Sequence, residues 1–200
     1  MKITVKPLTP ELSADYFDFF ENRMFTDDSP HGCYCQMYQI SKEEHDALMA
    51  DKAAYDYLMQ NPGQASRECA ERQIADGVLR GYLAYVDGKS IGWCNANDRA
   101  NYPAKPIHDE SFHAPAADKE KAVVCFAIAP DYRGKGVATA LLHQAITDAK
   151  AEGYAAVVSF PIRTGQCEWD HQGPLRLYEK AGFIKVSETA GKMVMRKDLM

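Results

Sequence analysis

No stretch of this chain approaches the ~20 consecutive apolar residues that span a bilayer. Its first residues, Met1-Lys2-Ile3-Thr4-Val5-Lys6-Pro7, also lack the apolar core of a secretion signal. The protein is therefore expected to be soluble and cytoplasmic, with no membrane partner. An excess of positive charge is lacking too. The formal net charge is −5 and Lys and Arg are scattered along the chain, whereas a nucleic-acid binder clusters its cations to displace counterions from phosphates. Nucleic acid is thus not an expected partner. Internal repeats and low-complexity tracts are absent as well, which leaves a conventional globular domain.

The six cysteines (Cys33, Cys35, Cys69, Cys94, Cys125, Cys167) give no sign of a disulfide framework. Cys125 lies inside the apolar run Val123-Val124-Cys125-Phe126, which suits a reduced, buried thiol. The cluster His31-Gly32-Cys33-Tyr34-Cys35 lacks the paired Cys-x2-4-Cys units and the four ligands of a zinc site. No metal is expected, and Cys33 and Cys35 are read as thiols that pack or line a pocket.

What is present is a hydrophobic content of 46% over 200 residues, enough for one substantial core and one domain spanning residues 1–200. Residues 2–6 alternate into Pro7 as a short strand. A helix is expected from Pro10 to Asn22. Ser41-Lys42-Glu43-Glu44 is a capping box that opens a second helix, running to the Asn61-Pro62-Gly63 stop, and a third follows from Ala65 to Leu79. Tyr55, Leu58 and Met59, then Cys69, Ile74 and Leu79, are spaced to bury one face of each. Two strands, 81–86 and 90–95, flank the hairpin turn Asp87-Gly88. Residues 97–120 have no periodicity and carry Pro103, Pro106 and Pro115; they are either a substrate lid or a passive insertion. Residues 121–129 form an apolar run that suits a strand buried on both faces. Ala138, Leu141, Leu142, Ala145, Ile146 and Ala149 make one face of a long amphipathic helix. Residues 155–160 are a second buried strand, which completes a right-handed strand-helix-strand unit. A loop, a short helix from Pro174 to Ala181 and a closing hairpin (183–187 with 192–196) end the chain.

Arg133-Gly134-Lys135-Gly136-Val137-Ala138-Thr139 stands between the buried strand and the amphipathic helix. Unpaired amides at a helix start, together with the helix dipole, favour an anion there, and glycines let the backbone wrap it. The segment has neither the spacing of a P-loop nor Gly-x-Gly-x-x-Gly, because Thr139 holds the last place. A tight strand-to-helix turn alone would also explain two glycines.

Taken with its preceding strand, Ile128-Ala129-Pro130-Asp131-Tyr132-Arg133-Gly134-Lys135-Gly136-Val137-Ala138 resembles the Arg/Gln-x-x-Gly-x-Gly/Ala motif of the GNAT N-acetyltransferase superfamily, and Leu177-Tyr178-Glu179-Lys180-Ala181-Gly182-Phe183 resembles its second signature. The likeness is sharp over residues 121–190 and topological over 1–96. It implies an α/β (α+β) fold: a mixed, mostly antiparallel central sheet with a splayed parallel strand pair, flanked by helices, and an enlarged helical acceptor-side region at about 10–80. It further implies that acetyl-coenzyme A is the co-substrate. Pantetheine would lie against the backbone of Phe126, Ala127 and Ile128, and pyrophosphate on Gly134, Lys135, Gly136, Val137, Ala138 and Thr139, with Arg133 adding charge. The acceptor would be an amine of a small molecule or a protein, attacking directly in a ternary complex.

A thioester is already activated, so the enzyme has to position the amine, stabilise an oxyanion and protonate a thiolate. The resemblance gives the oxyanion to a backbone amide near Ile128 and the proton to Tyr178. Candidates for the base are Glu168, Asp170, His171 and His31; His171 stands seven residues before Tyr178, where many family members carry Asn. A cysteine nucleophile at Cys33 or Cys35 is the ping-pong alternative. A non-catalytic acyl-CoA sensor is the alternative of a different class. The acceptor, the acyl length and the oligomeric state, a homodimer included, are left open.

Overall fold

The computed structural model describes residues 1–27, 33–102, 119–161, 171–189 and 192–199. It is built on a seven-stranded sheet of order β1-β2-β3-β4-β5-β7-β6, with β1 Thr4–Pro7, β2 Gly81–Val86, β3 Lys89–Asp98, β4 Glu120–Ile128, β5 Ala156–Ser159, β6 Ile184–Thr189 and β7 Lys192–Asp198. Only β4 and β5 run parallel; every other neighbouring pair is antiparallel. The Asp87-Gly88 turn closes the β2–β3 hairpin with both residues left-handed (φ 49° and 76°), the conformation that suits the twist of the strands it joins.

Two helical layers cover the sheet. On one face α1 (Ser13–Asn22) buries Tyr16, Phe17, Phe19 and Phe20 against Trp93, and α4 (Pro62–Ala75) adds Ala70 and Ile74. On the other face α5 (Val137–Ala151) buries Val137, Leu141, Leu142, Ala145 and Ala149, beside Tyr178 from α6 (Leu175–Lys180). Each fully buried aliphatic or aromatic side chain contributes about 1.5–3 kcal/mol, so the two clusters hold the layers to the sheet.

Three expectations about the helical region are corrected. The helix expected from Ser41 to Asn61 is two, α2 (Lys42–Ala50) and α3 (Lys52–Gln60). The capping box opens α2 as expected: Ser41 Oγ accepts from the Glu44 amide (3.0 Å) and Glu44 Oε2 from the Ser41 amide (2.6 Å). Asp51 then leaves the helical conformation (ψ 99°), and its carboxylate accepts from the amides of Ala53 and Ala54 at 2.9 and 3.1 Å. An aspartate gains more as a cap than inside a helix, which is why the break falls there. The expected apolar face holds only in part: in α3 Tyr55 and Leu58 are half-buried and Met59 is 62% exposed, whereas further on Cys69 is half-buried and Ile74 and Leu79 are buried. α4 starts at Pro62 rather than Ala65, with proline in its first turn where no amide is needed.

The feature that shapes the cleft is a bulge in β4. Asn95 pairs with Cys125 and Ala96 with Val123, which leaves Val124 as an extra residue. Val124 and Cys125 consequently face the same core. Pairing between β4 and β5 ends at Val123–Ser159, just where the bulge begins. β5 stays with β7, and Pro161 O accepts the Met193 amide at 3.0 Å, while β4 continues to Ile128 paired with β3 only. None of the described helices is long and apolar enough to cross a membrane.

Candidate active site

The glycine turn enters α5 in the left-handed conformation, with Gly134 at φ 71° and Gly136 at φ 84° as the N-cap. A Cβ built on either would meet no protein atom within 4 Å, so the glycines answer a conformational demand in open space. No side chain caps the helix; its first turn closes from the Ala140 amide to Gly136 O at 3.0 Å. The amides of Val137, Ala138 and Thr139 have no intrahelical acceptor, the arrangement that favours an anion.

That helix start opens on a cavity of about 520 Å³ between α5 and α6. Ile128, Arg133, Gly134, Gly136, Val137, Ala138 and Thr139, all named from the sequence, line it; Phe126, Ala127, Lys135 and Tyr178 do not. Arg176 and Lys180 also line it and were missed. Four residues apart on α6, they share one face, and the signal available in the sequence was that pair of cations flanking Tyr178. Arg133 braces the turn, donating from Nε to Ile128 O (3.2 Å) and pairing with Asp27 at 2.5 Å. Lys135 Nζ lies 5.8 Å from the centre of the Tyr132 ring. Gly92, opposite Ile128 on β3, lets the strand approach α5 closely, since a Cβ there would stand 2.8 Å from Val137 Cγ1.

Beyond the bulge the main chain of β4 alternates direction. The Ala129 amide donates to Ile91 O (3.1 Å), so by alternation Ala127 faces β3 while Phe126 and Ile128 face the gap that β5 has left. The Phe126 amide in that gap donates to His171 O at 2.6 Å, so the next outward amide along the strand is that of Ile128. Three consecutive residues press against this end of the cleft. Besides the His171 carbonyl, Gln172 O accepts from the Tyr178 hydroxyl at 2.5 Å, and Gly173 (φ 82°) packs so tightly that a Cβ would lie 3.2 Å from the Phe126 ring. Tyr178 is fully buried, edge-on to Phe183 (5.4 Å between centroids) and 6.4 Å from the Phe126 ring. The His171 imidazole is hydrogen-bonded through Nε2 to the Tyr38 hydroxyl at 2.7 Å.

Across the sheet, Cys35 is buried in a left-handed conformation (φ 54°), unusual for a residue with a side chain. Asn95 donates through Nδ2 to Cys35 O (3.0 Å) and Sγ (3.4 Å), while its Oδ1 accepts from Gln39 Nε2 (3.0 Å) and the Tyr102 hydroxyl (2.8 Å). Burial pushes the Cys35 thiol up, but hydrogen bonds from the Cys125 thiol and Asn95 outweigh it and leave the pKa below the ordinary value. Among the described residues no group of three or more His, Cys, Asp or Glu side chains is placed to hold a metal ion. His31, Glu168, Asp170 and residues 103–118, the body of the loop read as a lid or insertion, lie outside the described residues.

Residues 34–183 match the Acetyltransferase (GNAT) family. In fold the chain is similar to PaiA N-acetyltransferase from Thermoplasma acidophilum in complex with coenzyme A (TM-score 0.52, 13% identity, 99% of each chain covered). It is likewise similar to an acetyltransferase of the GNAT family from Streptococcus pneumoniae (TM-score 0.53, 14% identity, 100% of each chain) and to the GNAT domain of PAT from S. lividans (TM-score 0.53, 16% identity, 98% of this chain and 89% of that one). At these identities the likeness speaks for the fold. No curated protein matches the sequence.

Proposed function

This chain belongs to the GNAT acetyltransferase family, and on that premise we propose that residues 1–200 are one domain that binds acetyl-coenzyme A and passes its acetyl group directly to an amine of a small molecule or a protein. The observation that carries the reading is the uncapped start of α5, opening with two left-handed glycines on a cavity that Arg176 and Lys180 also line. The pyrophosphate of the coenzyme meets the amides of Gly134, Lys135, Gly136, Val137, Ala138 and Thr139, with Arg133 supporting the turn. Its pantetheine arm runs along Phe126, Ala127 and Ile128 in the gap that β5 has left, where the His171 carbonyl already holds the Phe126 amide. The Ile128 amide points to where the thioester oxygen gathers negative charge. Tyr178 hands a proton to the departing thiolate, its hydroxyl turning from Gln172 O to the sulfur. No covalent enzyme intermediate is needed, because the amine attacks an activated carbonyl held against it.

Thermal melts test the binding half. A ligand that binds only the folded state adds about 2.7 kcal/mol of stability at a hundredfold excess over Kd. Acetyl-CoA and coenzyme A are expected to raise the melting temperature, and NADH and ATP to do far less. Equal shifts from all of them at matched concentration would remove the assignment.

A further inference from the structure

We propose that Cys35 and Cys125 form a redox switch, joined by hydrogen peroxide in a reversible disulfide that ties the turn Gln36–Gln39 to β4 just before Phe126. The bond stands on the packing of the two thiols alone; only its effect on acetyl transfer rests on the function proposed above. The bulge in β4 brings the pair together. With Val124 as an extra residue, Cys125 turns to the core that α1 and α4 cover, and Cys35 is buried in that same core. Asn95, the register partner of Cys125, reaches Cys35 Sγ at 3.4 Å and its carbonyl at 3.0 Å. The thiols share a hydrogen bond, Cys125 donating to Cys35. The left-handed backbone of Cys35 (φ 54°) is one that such a residue keeps only where its surroundings hold it. The neighbouring cysteines are turned elsewhere. Cys33 Sγ accepts from the Cys35 amide at 3.4 Å, and Cys94 lies in the core on the opposite face of the sheet.

The two sulfurs have different parts in the chemistry. Burial raises the Cys35 thiol, but its hydrogen bonds prevail and leave it below the ordinary pKa, whereas donating to Cys35, together with burial, holds Cys125 well above. Cys35 is therefore the sulfur that gives up its proton and attacks. Both are nearly closed to solvent, at 2% and 5% exposure, so the oxidant has to be small and to enter as the turn opens locally. The Cys35 sulfur bonds to one peroxide oxygen and the O–O bond breaks; the sulfur is oxidised by two electrons to a sulfenic acid, and the departing hydroxide takes up the released proton as water. The Cys125 sulfur then bonds to the Cys35 sulfur and the S–O bond breaks. The hydroxyl leaves with the Cys125 proton as a second water. Two thiols and one peroxide thus become one disulfide and two waters. The new bond fixes the bulge from which Phe126 and Ile128 take their directions, so oxidation is expected to stop transfer.

Peptide mapping of the peroxide-treated parent tests the bond without any variant. The expected result is a mass loss of two hydrogens and a link between the peptides that contain Cys35 and Cys125, both undone by dithiothreitol. The link is expected to persist in Cys33→Ser and Cys94→Ser and to be absent from Cys125→Ser. Acetyl transfer by the parent is expected to be lost on oxidation and regained with dithiothreitol, while Cys125→Ser keeps its own untreated rate. Cys35 and Cys125 still open to alkylation after peroxide treatment and denaturation, or a link to Cys33 or Cys167 instead, would overturn the pair. A correct link that leaves transfer unchanged would overturn the switch. A parent that forms the link but shows no acetyl-CoA melting shift and no transfer would overturn the proposed function and leave the disulfide standing.

Discussion

The two halves of the molecule answer to different constraints. From β4 through α6 (residues 120–180) the backbone itself is the working surface: a bulge parts two strands, two left-handed glycines start a helix without a side-chain cap, and a carbonyl from residue 171 occupies an amide of β4. In α2 and α3 no residue is buried, and methionine and tyrosine side chains stand in solvent. A binding surface made of main chain demands particular backbone conformations, so it leaves glycines and prolines at fixed spacings. A surface made of side chains on helices leaves no such trace, and the half to which we assign the acceptor is of that kind.

The contrast can be sharpened by substitutions in order of expected effect. Tyr178→Phe keeps the ring in its buried seat and removes the hydroxyl. Single-turnover transfer is expected to fall by ~10²- to 10⁴-fold with little change in acetyl-CoA affinity. Stability lost with transfer unchanged would make the phenol a tether for Gln172 only. Arg176→Ala and Lys180→Ala remove exposed charges from the cavity wall, and each is expected to weaken acetyl-CoA binding by about two- to fivefold at low salt, with the difference shrinking as ionic strength rises. Titration at two salt concentrations checks this, and a salt-independent loss would point to packing instead. Asp51→Ala, in the helical half, is expected to cost about 0.5–2 kcal/mol of stability through the lost cap of α3. Denaturant melts would show it, and acetyl-CoA affinity is expected to stay as it was.

The same contrast explains what could be read in the chain. Asp87-Gly88, the Ser41 capping box and the Ala138–Ala149 stripe are local signals, each decided within a few residues, and the structure bears them out. The break at Asp51 was hidden because a helical period continues across it while a single carboxylate decides otherwise. The bulge at Val124 was hidden because an uninterrupted apolar run reads alike with or without an extra residue. The partnership of His171 with Phe126 and Tyr38 depends on residues 45 and 133 positions away, beyond the reach of any local pattern. Arg176 and Lys180 were visible as charges, but only the packing of α6 beside α5 turns them toward the glycine turn.

The central claim is that the start of α5 holds an acyl-coenzyme whose acetyl group passes to an amine. The most direct measurement is chromatographic detection of free coenzyme A, from acetyl-CoA and a panel of amines, with the parent protein and with Gly136→Val. At φ 84° a β-branched residue is strained, and its side chain would project into the open space where the coenzyme is placed. The account predicts amine-dependent release by the parent that is lost in Gly136→Val while the variant still folds. Amine-dependent release that persists in Gly136→Val, or acetyl-CoA bound by the parent with no release in the presence of any amine, would contradict it.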